Sequence, residues 1–227
     1  MARTLNVATH TVRREAFVDA AQRLMQAKGF EQMSIQDLLD ELGASRGAFY
    51  HYFDSKQALL EAVVERMVDA GLGSVAPVAD DPDLAAIPKL QGVFGGIGRW
   101  KTERRALVLA LLQVWMSDDN AIVREKVRQG LSGRLAPLLS RIIAQGEREG
   151  VFNTGSPDYT ARILVALLVG FQDVAMDLFI RRQSHLIGYD EVLSTLDGFS
   201  GAFERILGAP AGSIQMSDET VLRAWFG

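Results

Sequence analysis

The chain has no cysteine among its 227 residues, so neither disulfide bonds nor thiolate metal sites are available to it. It has three histidines, His10, His51 and His185, and none of them stands in an H-x-x-x-H or E-x-x-H spacing. The sequence also lacks the G-x-S-x-G turn of serine hydrolases and the phosphate-binding P-loop. We therefore predict that the chain is not an enzyme, and that it has no metal site and no cofactor.

Long apolar runs are absent as well. The longest one covers residues 163–171, ILVALLVGF, and is too short for a bilayer, which requires about 20 residues. The N-terminal stretch MARTLNVATHTVRRE has no apolar core of the kind found in signal peptides. We expect a cytoplasmic protein without a membrane partner.

The chain has no excess of basic residues, and its formal net charge is −4. The first 60 residues carry seven Lys and Arg against seven Asp and Glu, so the acidic excess lies in the remainder of the chain. If the first part binds DNA, this neutral balance predicts a modest non-specific affinity with a modest dependence on salt.

A helix-turn-helix pattern is present in residues 34–56, SIQDLLDELGASRGAFYHYFDSK. Ser34 is suited to cap a helix that continues to Leu42, because its hydroxyl can accept a hydrogen bond from a free first-turn amide. Gly43 follows, where glycine adopts the left-handed conformation without strain. Ser45 then caps a second helix to about Tyr52, and two helices joined by such a short turn form a helix-turn-helix.

The second helix combines two apolar anchors with a small and polar surface. Phe49 and Phe53 stand four residues apart and can hold the helix on a core, whereas Gly47 and Ala48 leave room for close approach. Such a helix can enter the DNA major groove. The same pattern also fits a solvated helix of an ordinary helical bundle, so this motif alone leaves both readings open.

A longer set of residues in register resembles the N-terminal DNA-binding domain of the TetR/AcrR (tetracycline-repressor-like) family. Ala44 stands where that family more often has valine, and Tyr52 where it more often has histidine; both are mild departures. The resemblance covers roughly residues 11–62. It is carried by Gly29-Phe30, Met33-Ser34-Ile35, Leu38, Leu42-Gly43, Ser45-Arg46-Gly47, Phe49-Tyr50, Tyr52-Phe53, Lys56 and Leu59-Leu60.

The resemblance implies an all-α fold with an N-terminal three-helix helix-turn-helix DNA-binding domain and a C-terminal helical domain for ligand binding and dimerisation. The implied function is a ligand-responsive transcriptional regulator, most often a repressor, that binds a palindromic operator as a homodimer and is released by a small apolar effector. The expected segments are a flexible arm at 1–10, the DNA-binding domain at 11–62, a connecting helix and linker at 63–75, the ligand-binding and dimerisation domain at 76–208 and a tail at 209–227.

Transferred position by position, the motif assigns Ser45, Arg46 and Ala48 to base edges. Tyr50, His51, Tyr52 and Lys56 then hold or flank phosphates, and Ser34 adds a contact from the first motif helix. The full set of implied DNA-binding residues is Ser34, Ser45, Arg46, Gly47, Ala48, Tyr50, His51, Tyr52 and Lys56.

For the second half of the chain, the resemblance implies that helices at about 158–183 and 189–207 pair with their symmetry mates. Candidate ligand contacts are aromatic, methionine or amide side chains, which at helical spacing more often pack in a core. These candidates are Phe94, Trp100, Trp115, Met116, Phe171, Gln172 and Met176. The alternative function is a helical protein-interaction module that keeps the fold without sequence-specific DNA binding.

The remaining helices follow from apolar periodicity and from helix breakers. We expect the helix after Ser55 to end near Gly71–Gly73, and proline at position 137 to kink or break a later helix. The glycines within 87–98 predict a weakened helix with close neighbours or one that changes shape. The expected ranges are helices at about 11–28, 101–116, 121–149, 158–183, 189–207 and 219–226, with a loop at 73–86.

Overall fold

The structure is a computed structural model that describes residues 2–115, 117 and 120–227; of residues 2–9, 113 and 115 it describes the backbone alone. Within these residues the regular structure is entirely α-helical, which confirms the predicted fold class. The ten helices are α1 (Ala2–Lys28), α2 (Ile35–Leu42), α3 (Arg46–Tyr52), α4 (Lys56–Ala79), α5 (Ala86–Glu103), α6 (Arg105–Trp115), α7 (Ala121–Arg148), α8 (Pro157–Gln183), α9 (Tyr189–Leu207) and α10 (Glu219–Phe226).

The chain folds as two compact units. The first comprises Met1–Val68 and Arg104–Val127, and the second comprises Asp69–Glu103 and Arg128–Gly227. This division differs from the expected domains chiefly because Arg104–Val127 belongs with the first unit; the expected tail at 209–227 is also part of the second unit. The reason lies in packing, since Val114, Val123 and Val127 are buried in the same apolar cluster as the helix-turn-helix residues.

The first unit is organised around aromatic residues from α1 and α3. The ring of Phe17 lies 5.6 Å from that of Phe49 in an edge-to-face arrangement, and both side chains are buried. Such pairs add stabilisation beyond the burial of apolar area. This contact fixes α3 against α1, and so determines which face of α3 remains open to solvent.

The second unit has its own core, formed by α4, α5, α7, α8 and α9. Its largest fully buried side chains include Leu90, Leu139, Ile143, Leu164 and Phe203. α10 packs on this unit: Trp225 Nε1 donates a hydrogen bond of 2.8 Å to Thr102 Oγ1. The short predicted helix at 219–226 therefore docks through its tryptophan.

α1 begins at Ala2, so the predicted flexible arm up to residue 10 and the predicted helix start at Thr11 are wrong. Residues 2–28 contain neither glycine nor proline, so the backbone has no breaker in this range. The last residue of the helix, Lys28, and the left-handed Gly29 after it (φ 80°) agree with the prediction.

α4 continues to Ala79, so the expected end near Gly71–Gly73 and the first part of the expected loop at 73–86 are wrong. Tertiary packing outweighs the glycines here. A side-chain carbon at Gly71 would meet the ring of Trp100 at 3.6 Å, and Val75 is buried in the core one turn later. Pro77 is exposed near the helix end, where losing one backbone hydrogen bond costs little.

The glycines of α5 allow a neighbouring helix to pack closely. This is the first of the two alternatives predicted for residues 87–98, a helix with close neighbours rather than one that changes shape. An added Cβ at Gly92 would lie 2.5 Å from Val78, and one at Gly96 would lie 2.7 Å from Val75. Only glycine permits this approach between α5 and the end of α4. The expected helix at 101–116 is divided instead, because α5 ends at Glu103 and α6 begins at Arg105.

α7 runs from Ala121 to Arg148 as one helix with Pro137 inside it, so the predicted interruption is not a break. Pro137 is exposed, whereas the following Leu138, Leu139 and Ile142 are buried. Burial of this apolar face offsets the loss of one backbone hydrogen bond.

Candidate nucleic-acid interface

The N-terminus of α2 is fixed by a reciprocal capping box. Ser34 Oγ accepts a hydrogen bond from the Asp37 backbone N–H at 3.1 Å, and the Ser34 N–H donates to Asp37 Oδ2 at 2.7 Å. The Lys28 ammonium beside Asp37, together with the Ser34 hydrogen bonds, holds the pKa of this carboxyl well below its usual range. The Ser34 hydroxyl therefore already accepts the capping hydrogen bond. A contact with DNA through the same hydroxyl would have to form in addition to this bond.

The turn between the two motif helices has the predicted geometry. Gly43 adopts a left-handed conformation with φ 57° and ψ 35°, and its N–H bonds to the Leu39 carbonyl. Ser45 is the N-cap of α3, where its hydroxyl accepts the Ala48 N–H at 3.2 Å. These local hydrogen bonds set the direction in which α3 leaves the turn.

α3 presents a small and polar face to solvent. Phe49 is fully buried on the opposite side, while Tyr50 remains 46% exposed. Arg46 and Gly47 are exposed, and an added Cβ at Gly47 would meet nothing closer than Ser45 Oγ at 3.9 Å. The helix thus offers an open surface on which the side chain of Arg46 extends into solvent.

The guanidinium of Arg46 makes no ion pair or hydrogen bond with any residue that the structure describes. Its donors are therefore available in a planar fork that matches the acceptors of a guanine edge or of a phosphate. The flanking side chains on this face are the phenol of Tyr50 and the imidazole of His51, and both can bind a phosphate oxygen.

Lys56, in the first turn of α4, is less free than the motif suggests. Its Nζ donates to the Glu31 carbonyl at 3.3 Å and lies 4.2 Å from the centroid of the Phe30 ring. Partial burial against this ring lowers the pKa of Lys56. The ammonium is thus held at the edge of the surface, where it can add its charge to a phosphate site.

Tyr52 is half-buried, because its ring packs 5.9 Å from that of Phe17. Tyr52 also contacts His10, which is absent from the predicted DNA-binding residues. The ring centroid of His10 lies 4.7 Å from that of Tyr52 and 5.4 Å from that of His51. The overlooked signal is the spacing: His10 precedes the buried Phe17 by two helical turns and shares its side of α1.

Comparison with known proteins supports this assignment. A sequence profile described as "Bacterial regulatory proteins, tetR family" matches residues 17–63. The matched residues contain the whole helix-turn-helix, so this part of the chain is similar to the DNA-binding region of tetR-family regulatory proteins. The relatives it matches are named as transcriptional regulators rather than enzymes, which confirms the prediction that the chain is not an enzyme.

One relative that this chain matches is the HTH-type transcriptional regulator EthR of Mycolicibacterium smegmatis. It is 28% identical over 144 residues, which cover 56% of this chain and 66% of EthR. The solved structure of a SmeT–triclosan complex has a TM-score of 0.60 at 22% identity, and covers 89% of this chain and 94% of SmeT. RolR, solved without ligand, has a TM-score of 0.59 at 19% identity, with coverage of 92% and 95%. At these levels of sequence identity, the two comparisons show a shared fold only.

Two of the predicted ligand contacts, Phe94 and Phe171, belong to the apolar core of the second unit. Phe94 packs edge-to-face on Phe203 in the core at 5.4 Å, and Phe171 packs on Phe199 at 4.8 Å. Trp100 is half-buried, as is Met176, whereas Gln172 is exposed. Met116 and the side chain of Trp115 lie outside the described residues.

Two concavities of the described residues are lined by side chains other than the predicted ligand contacts. The first unit encloses a small apolar cavity beneath α4, and the second unit has an open groove between α7 and the start of α8. The cavity is lined by Leu60, Val64, Leu111, Val114, Asn120, Val123 and Arg124. The groove is lined by Ser132, Gly133, Ala136, Pro137, Ser140, Arg141, Asp158 and Arg162.

α8 passes as a membrane span by length and composition alone, among the residues described. Core and interface helices of globular proteins meet the same criteria. Its apolar residues here divide between two sides: Leu164 and Val165 are buried in the core, whereas Ile163 is 55% exposed.

Proposed function

We propose that this chain is a TetR-family transcriptional repressor. It binds a palindromic operator as a homodimer, and a small apolar effector releases it. The observation that carries the proposal is the outward face of α3. This face is rigidly mounted through Phe49 and offers an unpaired arginine beside small residues. Those are the requirements for a helix that reads base edges in the major groove.

Within this proposal, Arg46 contacts a guanine in bidentate fashion, and Ser45 and Ala48 allow the close approach that this contact needs. Tyr50 and His51 bind flanking phosphates and fix the register of the helix rather than its sequence preference. Lys56, held beside the Phe30 ring, adds a positive charge at the first turn of α4.

Dimerisation is proposed through α8 and α9. One side of α8 exposes large apolar groups, with Tyr159 at 69% and Ile163 at 55% exposure. Ala166 and Gly170 continue the same side and are also exposed. Large apolar groups followed by small ones suit a close helix–helix contact with a second copy. A dimer would place two α3 helices for two half-sites of a palindrome.

Effector release is proposed as a population shift between two spacings of the recognition helices. A ligand moves such an equilibrium only by its differential affinity for the two states. α4 begins in the first unit and ends in the second, and α7 crosses the same division between Val127 and Arg128, so both helices are covalent elements that can transmit a change. The apolar character of the effector is proposed from the family resemblance, and the compartment is proposed to be the cytoplasm.

The decisive experiment measures binding of the purified protein to DNA from its own upstream region at two salt concentrations. Arg46→Ala is the test variant. Arg223→Ala is the matched control, since it removes the same charge from an exposed pair with Glu219 in the second unit. We expect Arg46→Ala alone to lose discrimination worth about 1–3 kcal/mol at one base position.

The proposed sequence-specific DNA binding would be overturned if the wild type and Arg46→Ala both bound weakly to every DNA sequence, with the same dependence on salt. That result would favour the alternative, a helical interaction module that keeps the fold without reading DNA. Binding of several dimers to one operator would appear in the same titration as a stoichiometry above one dimer.

A further inference from the structure

Two of the three histidines in the chain meet at the proposed DNA-binding surface. The ring centroid of His10, on α1, lies 5.4 Å from that of His51, on α3, and the planes cross at 73°. Tyr52 joins both, at 4.7 Å from His10 and 4.9 Å from His51. Residues 41 positions apart in sequence are thus brought together by the packing of α1 on α3.

Both imidazoles remain accessible to solvent and to ligands. His10 and His51 are exposed, whereas Tyr52, which supports them from behind, is half-buried. Neither histidine forms an ion pair or hydrogen bond with a described residue, so their ring nitrogens are free to bind an external group.

The charged surroundings of the pair contain both signs. Arg14 is engaged, since it donates to Glu15 at 3.2 Å and lies 5.1 Å from the centroid of the Phe53 ring. The further charged or titratable groups near the pair in sequence are Arg13 on α1, Arg46 and Tyr50 on α3, and Asp54 after α3; Asp19, Arg23 and Lys28 lie further along α1.

We propose that His10 and His51 together form a phosphate-binding site whose imidazoles take up protons when the protein binds DNA. The inference rests on the proposed DNA-binding function and adds His10 to its contact residues. A neutral imidazole offers one donor and a charged one offers two, so a phosphate that accepts from N–H groups at the exposed edges of the two rings favours the charged form. Since the DNA backbone is uniformly anionic, this contact strengthens binding without selecting a sequence.

The sign of the pH dependence follows from linkage. An ordinary imidazole changes charge near pH 6.5. A group whose charged form is favoured in the complex contributes affinity that is fully present at low pH. This contribution is lost as the pH rises through the titration midpoint of the complex. DNA affinity should therefore rise between pH 8 and pH 6, by up to about tenfold per pH unit for each proton taken up.

The test uses the full-length protein and an operator duplex at fixed ionic strength. The C–H resonances of only three histidines are followed by NMR against pH, with and without DNA. His185, exposed in the second unit after α8, serves as the internal reference. We expect DNA to move the titration midpoints of His10 and His51 to higher pH by about one unit, and to leave that of His185 in place.

Binding measured from pH 6 to pH 8 provides the second readout. His10→Phe keeps a ring against Tyr52 but cannot take up a proton, so the rise in affinity toward pH 6 should shrink by about tenfold. His185→Asn is the control and should retain the full rise, because asparagine tolerates the left-handed backbone at φ 56°. Thermal melting of each variant checks that it folds.

The outcomes separate this inference from the function on which it rests. Specific DNA binding that is independent of pH, or a His10→Phe variant with the wild-type rise, would overturn the histidine pair and leave the regulator intact. If the wild type binds no DNA specifically, both fall together. If His10→Phe does not fold, the NMR titration of the wild type decides alone, and unmoved midpoints would overturn the inference.

Discussion

The ammonium of Lys28 lies 2.7 Å from the carboxylate of Asp37, and so joins the last residue of α1 to the first turn of α2. The same carboxylate closes the capping box with Ser34. One acidic side chain thus contributes both to the start of the first motif helix and to its position on α1.

Replacing Asp37 with Asn should lower the thermal stability at pH 7. The depressed pKa of Asp37 means that its contribution is fully present above the ordinary carboxyl pKa of about 3.9. It is lost as the pH falls through the folded-state pKa. The difference in melting temperature between wild type and variant should therefore shrink on acidification below about pH 4. Asp40→Asn, which affects only a hydrogen bond with Gln36 at 2.8 Å, is the control.

Gly146→Ala should destabilise the second unit, because an added Cβ would overlap the buried ring of Phe152. Overpacking of this kind costs about 1–3 kcal/mol. Gly130→Ala, in the same helix with nothing within 4 Å of its added Cβ, should instead stabilise the protein by about 0.5–1 kcal/mol. Urea unfolding of both variants measures the difference, and equal effects would contradict the packing of Phe152 on α7.

Trp225→Phe should cost about 0.5–1.5 kcal/mol, since it removes the hydrogen bond to Thr102 and keeps an aromatic ring near Phe179. A double-mutant cycle with Thr102→Val isolates this contact. The two substitutions should be less than additive. Strict additivity in urea unfolding would show that α10 is held by its apolar contacts alone.

Ile163→Glu should convert a dimer into a monomer at the same protein concentration. Each copy would bury one such side chain, so the substitution counts twice across a symmetric interface. With about 1.5–3 kcal/mol per buried isoleucine, dissociation should increase by at least about 100-fold. Sedimentation equilibrium measures this change. Ile122→Glu is the matched control, as Ile122 is 74% exposed in the first unit; a similar effect of both variants would argue against α8 as the interface.

The candidate site follows from the sequence to the extent that local chemistry determines it. Ser34 and Ser45 cap their helices as predicted, and Gly43 takes the left-handed conformation between them. Each of these interactions joins residues within five positions of one another, so the pattern of residues is sufficient to predict it. The bounds of α9 and α10 follow in the same way, from periodicity and flanking breakers.

Residues whose role depends on distant partners could not be placed in this way. Gly71 reads as a helix end in sequence, yet it is an interior residue that makes room for Trp100. His10 reads as part of an arm, yet it lies against His51 and Tyr52. Lys56 is predicted from the motif as a phosphate contact, yet its ammonium lies over the Phe30 ring.

The sequence by itself determined the helix-turn-helix, its caps and the apolar faces of most helices, because these depend on interactions within a few residues. Only the tertiary structure decided that Arg104–Val127 shares a core with the N-terminal helices, and that His10 of α1 meets His51 of α3. The physical reason is that apolar burial is not directional. The apolar face of a helix therefore predicts that the face is buried, whereas the segment that packs against it depends on the rest of the chain.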